Sequence, residues 1–283
     1  MSAGSKRLNC EPAFASNLAA FGEPSFKSGV TRNLKMPALA ILCLCFLVAT
    51  ASYAPASEEG SKGRGYVEIG GGFATGDFGT GTRSSLSYLG PMLGYVSRRW
   101  DIAVSAPYLF LTNGTAAQIN GVNRVSGIGD MILRGDGIFV PEGHSGFSLD
   151  GGIALKFPTA NETNGLGTGK PDFGAFAGIH QRAGRVRISL FGGYIKVGSP
   201  SGAAYKDTPM VGGAISGNLG RTNLSVSFES RRSLIAGEPN PHEVGVDLFR
   251  AMSRKLAIKG RSFFGLNKGG PDFGLSAGIV CWF

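Results

Sequence analysis

Phe273-Gly-Leu-Ser-Ala-Gly-Ile-Val-Cys-Trp-Phe283 closes the chain. Counting back from Phe283 in steps of two gives Cys281, Ile279, Ala277, Leu275 and Phe273, with Gly274, Ser276 and Gly278 between them. Successive side chains of a β-strand point to opposite faces, so this stretch is a strand with one apolar face and one small, polar face. A soluble sheet would cover the apolar face with a second layer. In a membrane barrel that face meets lipid and the small face looks into the lumen.

The same alternation recurs upstream, in Val67/Ile69/Gly71/Phe73, Ile102/Val104/Ala106/Tyr108/Phe110 and Val186/Ile188/Leu190/Gly192/Tyr194. Marking every such run predicts about twelve strands, near 65–76, 85–97, 100–111, 129–139, 147–157, 172–181, 185–197, 209–219, 222–232, 242–252, 255–265 and 273–283. Twelve is even, as single-chain bacterial barrels require. The connections alternate in length. Tight ones fall at 97–99, 141–146, 182–185, 220–221 and 253–254; longer ones rich in Gly, Asn, Thr and Pro fall at 77–83, 112–124, 159–170, 198–207, 234–241 and 266–271. Short periplasmic turns and long external loops are the expected asymmetry of an outer-membrane barrel, and an even strand number puts both termini on the periplasmic side. The expected fold is therefore an all-β, antiparallel transmembrane barrel.

Targeting signals agree with this. Residues 36–50, Met-Pro-Ala-Leu-Ala-Ile-Leu-Cys-Leu-Cys-Phe-Leu-Val-Ala-Thr, form a short apolar run behind Arg32 and Lys35, and Ala54-Pro55-Ala56 offers a small-x-small cleavage site. We read residues 36–56 as a signal peptide, residues 1–35 as a leader or a start assigned too early, with Met36 the initiator, and residues 57–283 as one barrel domain. Of 46 glycines, 43 follow residue 56, a density that helices tolerate poorly. Cys10, Cys43 and Cys45 fall before the cleavage site, so the mature chain keeps Cys281 alone and can form no internal disulfide. Cys281 is expected to be an inert thiol on the apolar register. The full chain carries a formal charge of +9, and the mature portion +6, but the basic residues are scattered singly or in doublets, which with an export signal excludes a nucleic-acid partner.

The ending at Phe283 resembles the last strand of bacterial outer-membrane barrels, whose terminal aromatic is the insertion signal. Three segments add a more specific resemblance: Trp100-Asp-Ile-Ala-Val-Ser-Ala-Pro107-Tyr108, then Gly127-Ile-Gly-Asp130-Met-Ile-Leu-Arg134-Gly135, then Leu155-Lys-Phe-Pro158-Thr159 with Gly165-Leu-Gly-Thr-Gly169-Lys-Pro-Asp172. In order and spacing they are similar to the family labelled "MetA-pathway of phenol degradation", across most of residues 64–283; the chain departs at Ala160, where that family has Gly. The resemblance implies an outer-membrane barrel passing small, often aromatic or hydrophobic compounds. Its partners would be outer-membrane lipid, the barrel-assembly machinery and a small solute.

Residues opposite the apolar register should line the lumen. Both signs occur there, so they can pair across strands or constrict a channel. Asp130, Arg134, Lys156, Arg187, Glu229 and Arg231 are the candidate constriction, within a set that also holds Glu68, Asp101, Asp136, Asp150, Asp172, Glu243, Asp247, Lys259 and Arg261. Phe176, Phe191, Phe249 and Phe263 fall on the same register, as a track for an apolar solute or as filling of a narrow barrel. Tyr108, Phe110, Phe139, Phe157, Tyr194 and Phe283 read as aromatic girdles on the outside. The loops at 112–124 and 159–170 are long enough to fold inward.

Enzyme chemistry finds little support. Only His144, His180 and His242 are present; His242, beside Glu243, is the one plausible base, and no serine stands out as its partner. Scattered histidines and a lone cysteine form no metal motif, and no cofactor is expected. Gly165-Leu-Gly-Thr-Gly169-Lys170 fails as a phosphate loop because Pro171 holds the Ser/Thr position. The rival readings are a non-conducting structural or adhesion barrel and, more remotely, an outer-membrane hydrolase.

Overall fold

The computed structural model describes residues 63–76, 83–112, 124–200 and 205–283. The expected leader, signal peptide and cleavage site, and most of the loops at 77–83 and 112–124, lie outside the described residues. Fourteen strand segments follow in chain order: β1 (Arg64–Gly76), β2 (Ser84–Val96), β3 (Trp100–Ser105), β4 (Tyr108–Thr112), β5 (Arg124–Ile128), β6 (Met131–Val140), β7 (Phe147–Phe157), β8 (Asp172–Ala183), β9 (Val186–Lys196), β10 (Thr208–Leu219), β11 (Thr222–Arg231), β12 (His242–Ala251), β13 (Leu256–Gly265) and β14 (Phe273–Trp282). Each pairs antiparallel with its neighbours, and β1 pairs with both β2 and β14, so the sheet closes on itself.

The fourteen segments make twelve staves. β3 and β4 are halves of one stave, since residues 92–96 of β2 pair with β3 and residues 85–89 with β4. β6 and β5 form the next stave in the same way, against β3 and β4. Pro107 lacks the N–H a ladder needs, and the residues opposite the break on β2 are Gly90 and another proline, Pro91. The Pro107 carbonyl accepts instead from Gly129 N at 2.8 Å. The strand expected near 129–139 is thereby corrected: its stave starts at Arg124, inside the expected loop, and breaks at Gly129-Asp130. Those two adjacent residues are both buried, so a period-two count slips by one there.

Elsewhere the alternation governs. Outward positions carry Ile69, Leu89, Leu190, Val211, Ile215, Leu275 and Ile279, all large, apolar and exposed. The expected girdle residues Tyr108, Phe110, Phe139, Phe157, Tyr194 and Phe283 are exposed on this exterior as well. A continuous apolar exterior of this size belongs in a bilayer. Cys281 is free and exposed on the same side.

Among the described residues no second layer packs on the sheet; the core is the barrel's own interior. Aromatic rings fill it by lying over glycines of the next stave. A Cβ on Gly274 would overlap the Phe263 ring, one on Gly212 the Phe191 ring, one on Gly193 the Phe176 ring and one on Gly94 the Tyr66 ring. Removing the Cβ on one strand lets the ring of its neighbour lie flat against the wall, as glycine–aromatic pairs do in designed barrels.

Candidate functional site

The interior is polar at every level because inward positions alternate with lipid-facing ones, and adjacent staves bring their charges together across the ladder. Near the end that carries the longer loops, Lys156 of β7 is almost fully buried. Its ammonium lies 2.7 Å from Asp172 Oδ2, 3.4 Å from Asp130 Oδ2 and 2.9 Å from Thr168 Oγ1. The loop of residues 158–171 folds inward to make the last contact: Leu166 and Thr168 are buried, and Ala160 N donates to Asp130 Oδ1 at 2.9 Å. Ala160, where the chain departs from the family pattern, thus contributes through its backbone. Across the lumen at this end, Arg231 is held between Glu229 and Glu243.

A second group spans the middle. Arg134 bridges Asp101 (3.0 Å) and Asp136 (2.9 Å), Tyr66 donates its hydroxyl to Asp101 at 3.1 Å, and Lys259 meets Glu68 at 2.6 Å. Arg261 and Asp247 pair at 3.3 Å. At the tight-turn end, Glu142 in the 141–146 connection accepts from Arg182 at 2.6 Å and from Arg187 at 2.5 Å.

All six candidate constriction residues therefore face the interior and are buried. They do not meet in one ring. Asp130 and Lys156 sit together near the long-loop end, Glu229 and Arg231 lie across from them, Arg134 belongs to the middle group, and Arg187 is at the turn end. Phe176, Phe191, Phe249 and Phe263 are all buried inside, on four staves. Those whose neighbours are glycines lie against the wall rather than across the bore.

One expectation about histidine changes. Adjacent residues of a strand face opposite sides, and Glu243 is buried in the ion pair with Arg231 while the His242 ring stacks with Phe228, which faces outward, at 6.3 Å. His242 and Glu243 thus form no acid–base pair. His180 instead joins a set that sequence reading missed: its Nε2 is 2.8 Å from Asp150 Oδ2 and its Nδ1 is 3.0 Å from Ser189 Oγ. An ionised carboxylate only accepts, so Nε2–H donates to Asp150, and Nδ1 shares a hydrogen bond with the Ser189 hydroxyl. The set has the composition of a hydrolytic triad, but Ser189 is buried and the β9 backbone is occupied in ladders with β8 and β10. No accessible nucleophile and no free strand amides for an oxyanion follow from that placement. The signal that could have found it is register: Ser148↔His180 and His180↔Ser189 are cross-strand partners, and Asp150 is one inward step from Ser148.

No family model matches the chain, and no curated protein matches it in sequence. Among solved structures, it is similar to an outer-membrane channel from Pseudomonas putida F1, at 15% identity and a TM-score of 0.64 over 82% of this chain and all of that one. At this identity the likeness concerns the fold. The KdgM porin (6% identity, TM-score 0.49, 77% of this chain and 99% of that one) and the transport unit of the autotransporter AIDA-I from Escherichia coli (10%, 0.48, 82% and 93%) are more distant.

Proposed function

We propose that the protein is a bacterial outer-membrane channel through which small solutes pass along the barrel lumen. The observation that carries this reading is the state of the interior polar atoms. Asp150 Oδ1, Glu243 Oε2 and Asp247 Oδ2 are buried with no hydrogen-bond partner among the described residues. Leaving a buried acceptor unmade costs about 1–3 kcal/mol, and more when it is charged, so a dry interior is disfavoured and a hydrated one follows. The three sequence segments support placing the chain with the MetA-pathway family. With that placement, the inward phenyl rings support an aromatic or hydrophobic solute.

Within this reading the constriction is distributed over three levels, at Asp130 and Lys156 with Glu229 and Arg231, at Arg134, and at Arg187. Arg187→Ala and Arg231→Ala each remove a cation from the wall and shift ion permeability toward cations while insertion is retained. Unchanged permeability in both variants removes the two arginines from the pore lining.

A sealed barrel acting through its loops is the second reading, and the inward fold of residues 158–171 favours it, together with Tyr205, Leu234 and Ile235 buried in the loops of the same end. Single-channel recording in a planar bilayer separates the two. Stepwise conductance by the inserted protein is expected; silence from protein shown to be folded and inserted would leave the sealed barrel standing.

A further inference from the structure

The inward side of the described staves holds nine carboxylates against eight lysines and arginines, so the lumen wall carries none of the net charge of +9 on the chain as a whole. Three of the carboxylates are gathered in one place. Asp101 of β3 and Asp136 of β6 are direct cross-strand partners, and Asp136 pairs in turn with Gly152 of β7, one inward step from Asp150. Three carboxylates thus stand side by side on three adjacent staves.

Like charges directly opposite each other destabilise a sheet, so such a row needs both a counter-charge and space. Arg134 supplies the charge for Asp101 and Asp136. Glycines supply the space: a Cβ on Gly152 would strike the Asp136 carboxylate, and one on Gly178 the Asp150 carboxylate. Asp150 uses Oδ2 on His180 and leaves Oδ1, buried and without a protein partner, over Gly178.

From this we infer that the Asp101–Asp136–Asp150 row is a cation subsite in the tight-turn half of the lumen, and that it makes the passage selective for cationic over anionic solutes. The inference rests on the channel reading above and names the charge class that the channel favours. Rings of Asp and Glu act in this way in cation channels, because the low-dielectric wall focuses their field on the bore. The basic residues that give the chain its positive charge, among them Arg98, Arg99, Arg185, Arg221 and Arg254, sit exposed at the tight turns, outside the bore.

The test is the reversal potential of the inserted protein in a zwitterionic planar bilayer under a potassium chloride gradient at pH 7. A potassium-to-chloride permeability ratio above one is expected for the unaltered protein. Asp150→Asn, isosteric and still able to contact His180, should lower that ratio by about two-fold or more, the scale set by one partly screened charge. Asp136→Asn should do the same by a route that leaves His180 untouched. Asp272→Asn, at an exposed carboxylate paired with Arg83 on the long-loop rim, should leave it unchanged. A ratio below one in the unaltered protein, or the same ratio in both interior variants, overturns the cation subsite and leaves the channel standing; silence from inserted protein overturns the channel, and the subsite with it.

Discussion

The two faces of the same strands obey different rules. On β14, Ile279 and Leu275 point to lipid while Ser276 and Val280 point inward, and on β7 Ile153 is exposed while Lys156, three residues on, is nearly the most buried side chain in the barrel. The outer face requires only that its residues be apolar, because hydrocarbon has no donor, acceptor or shape to match. The inner face requires particular partners at particular heights. Lys156 without Asp130 and Asp172, or Arg231 without Glu229 and Glu243, would be an uncompensated charge at bilayer depth. One face tolerates any apolar exchange and forbids charge; the other is built of charge and is destabilised by its piecemeal removal.

The largest expected effect follows from breaking the inner rule. Lys156→Met leaves Asp130 and Asp172 buried without their cation and frees Thr168 from its contact. Removing one partner of a buried pair costs about 3–5 kcal/mol, which urea-induced unfolding from phospholipid bilayers would show. The same variant should make the 158–171 loop more accessible to protease. A stability change below about 1 kcal/mol would mean that water already solvates this cluster.

Breaking the outer rule comes next. Ile279 lies between Ile69 on β1 and Ile258 on β13, in the middle of the lipid-facing band. Ile279→Arg should cost about 2–4 kcal/mol in the same assay, the range for a cation at the bilayer midplane, whereas Ile279→Leu should change little. A smaller effect tests the ring-over-glycine packing of the interior. Gly212→Leu would drive its side chain into the Phe191 ring, and overpacking of this kind costs about 1–3 kcal/mol. Phe191→Leu in that background should recover part of the loss.

How much of this was legible in the sequence follows from the same contrast. Lipid imposes a one-residue rule, so the apolar register, the twelve staves, the turn–loop asymmetry and the inward direction of the charged set could be counted from the sequence. Ion partners are a relation between staves. Asp130 and Asp172 are 26 and 16 residues from Lys156, and nothing in the local pattern says which height each reaches. The register between strands says it, and that register is set by tight turns such as Gly184-Arg185 and Gly220-Arg221. The Asp150–His180–Ser189 set escaped for this reason, since its members come from β7, β8 and β9. The break at Ala106-Pro107 and Gly129-Asp130 escaped for another: a proline and two successive inward residues interrupt the period on which the count depends.

The smallest effect lies where neither rule applies, at the rim. Asp207 stands outside the strands in the connection between β9 and β10; its carboxylate accepts from the Tyr194 hydroxyl at 2.7 Å and from Val197 N at 3.1 Å. These two donors, the tyrosine first, hold its pKa below the ordinary 3.8. A carboxyl whose folded value is depressed adds its stabilisation above the unfolded value and loses it as pH falls through the folded one. The contacts of Asp207 with Tyr194 and Val197 should therefore hold at neutral pH and loosen only below pH 3.8, with faster hydrogen exchange at Val197 N as the readout. Because the site is exposed, the loss should stay local and the barrel should remain closed. Asp207→Asn should abolish that acid transition at Val197 while leaving exchange in β9 itself unchanged. A transition that persists in the variant would assign it to another group and detach this loop from Asp207.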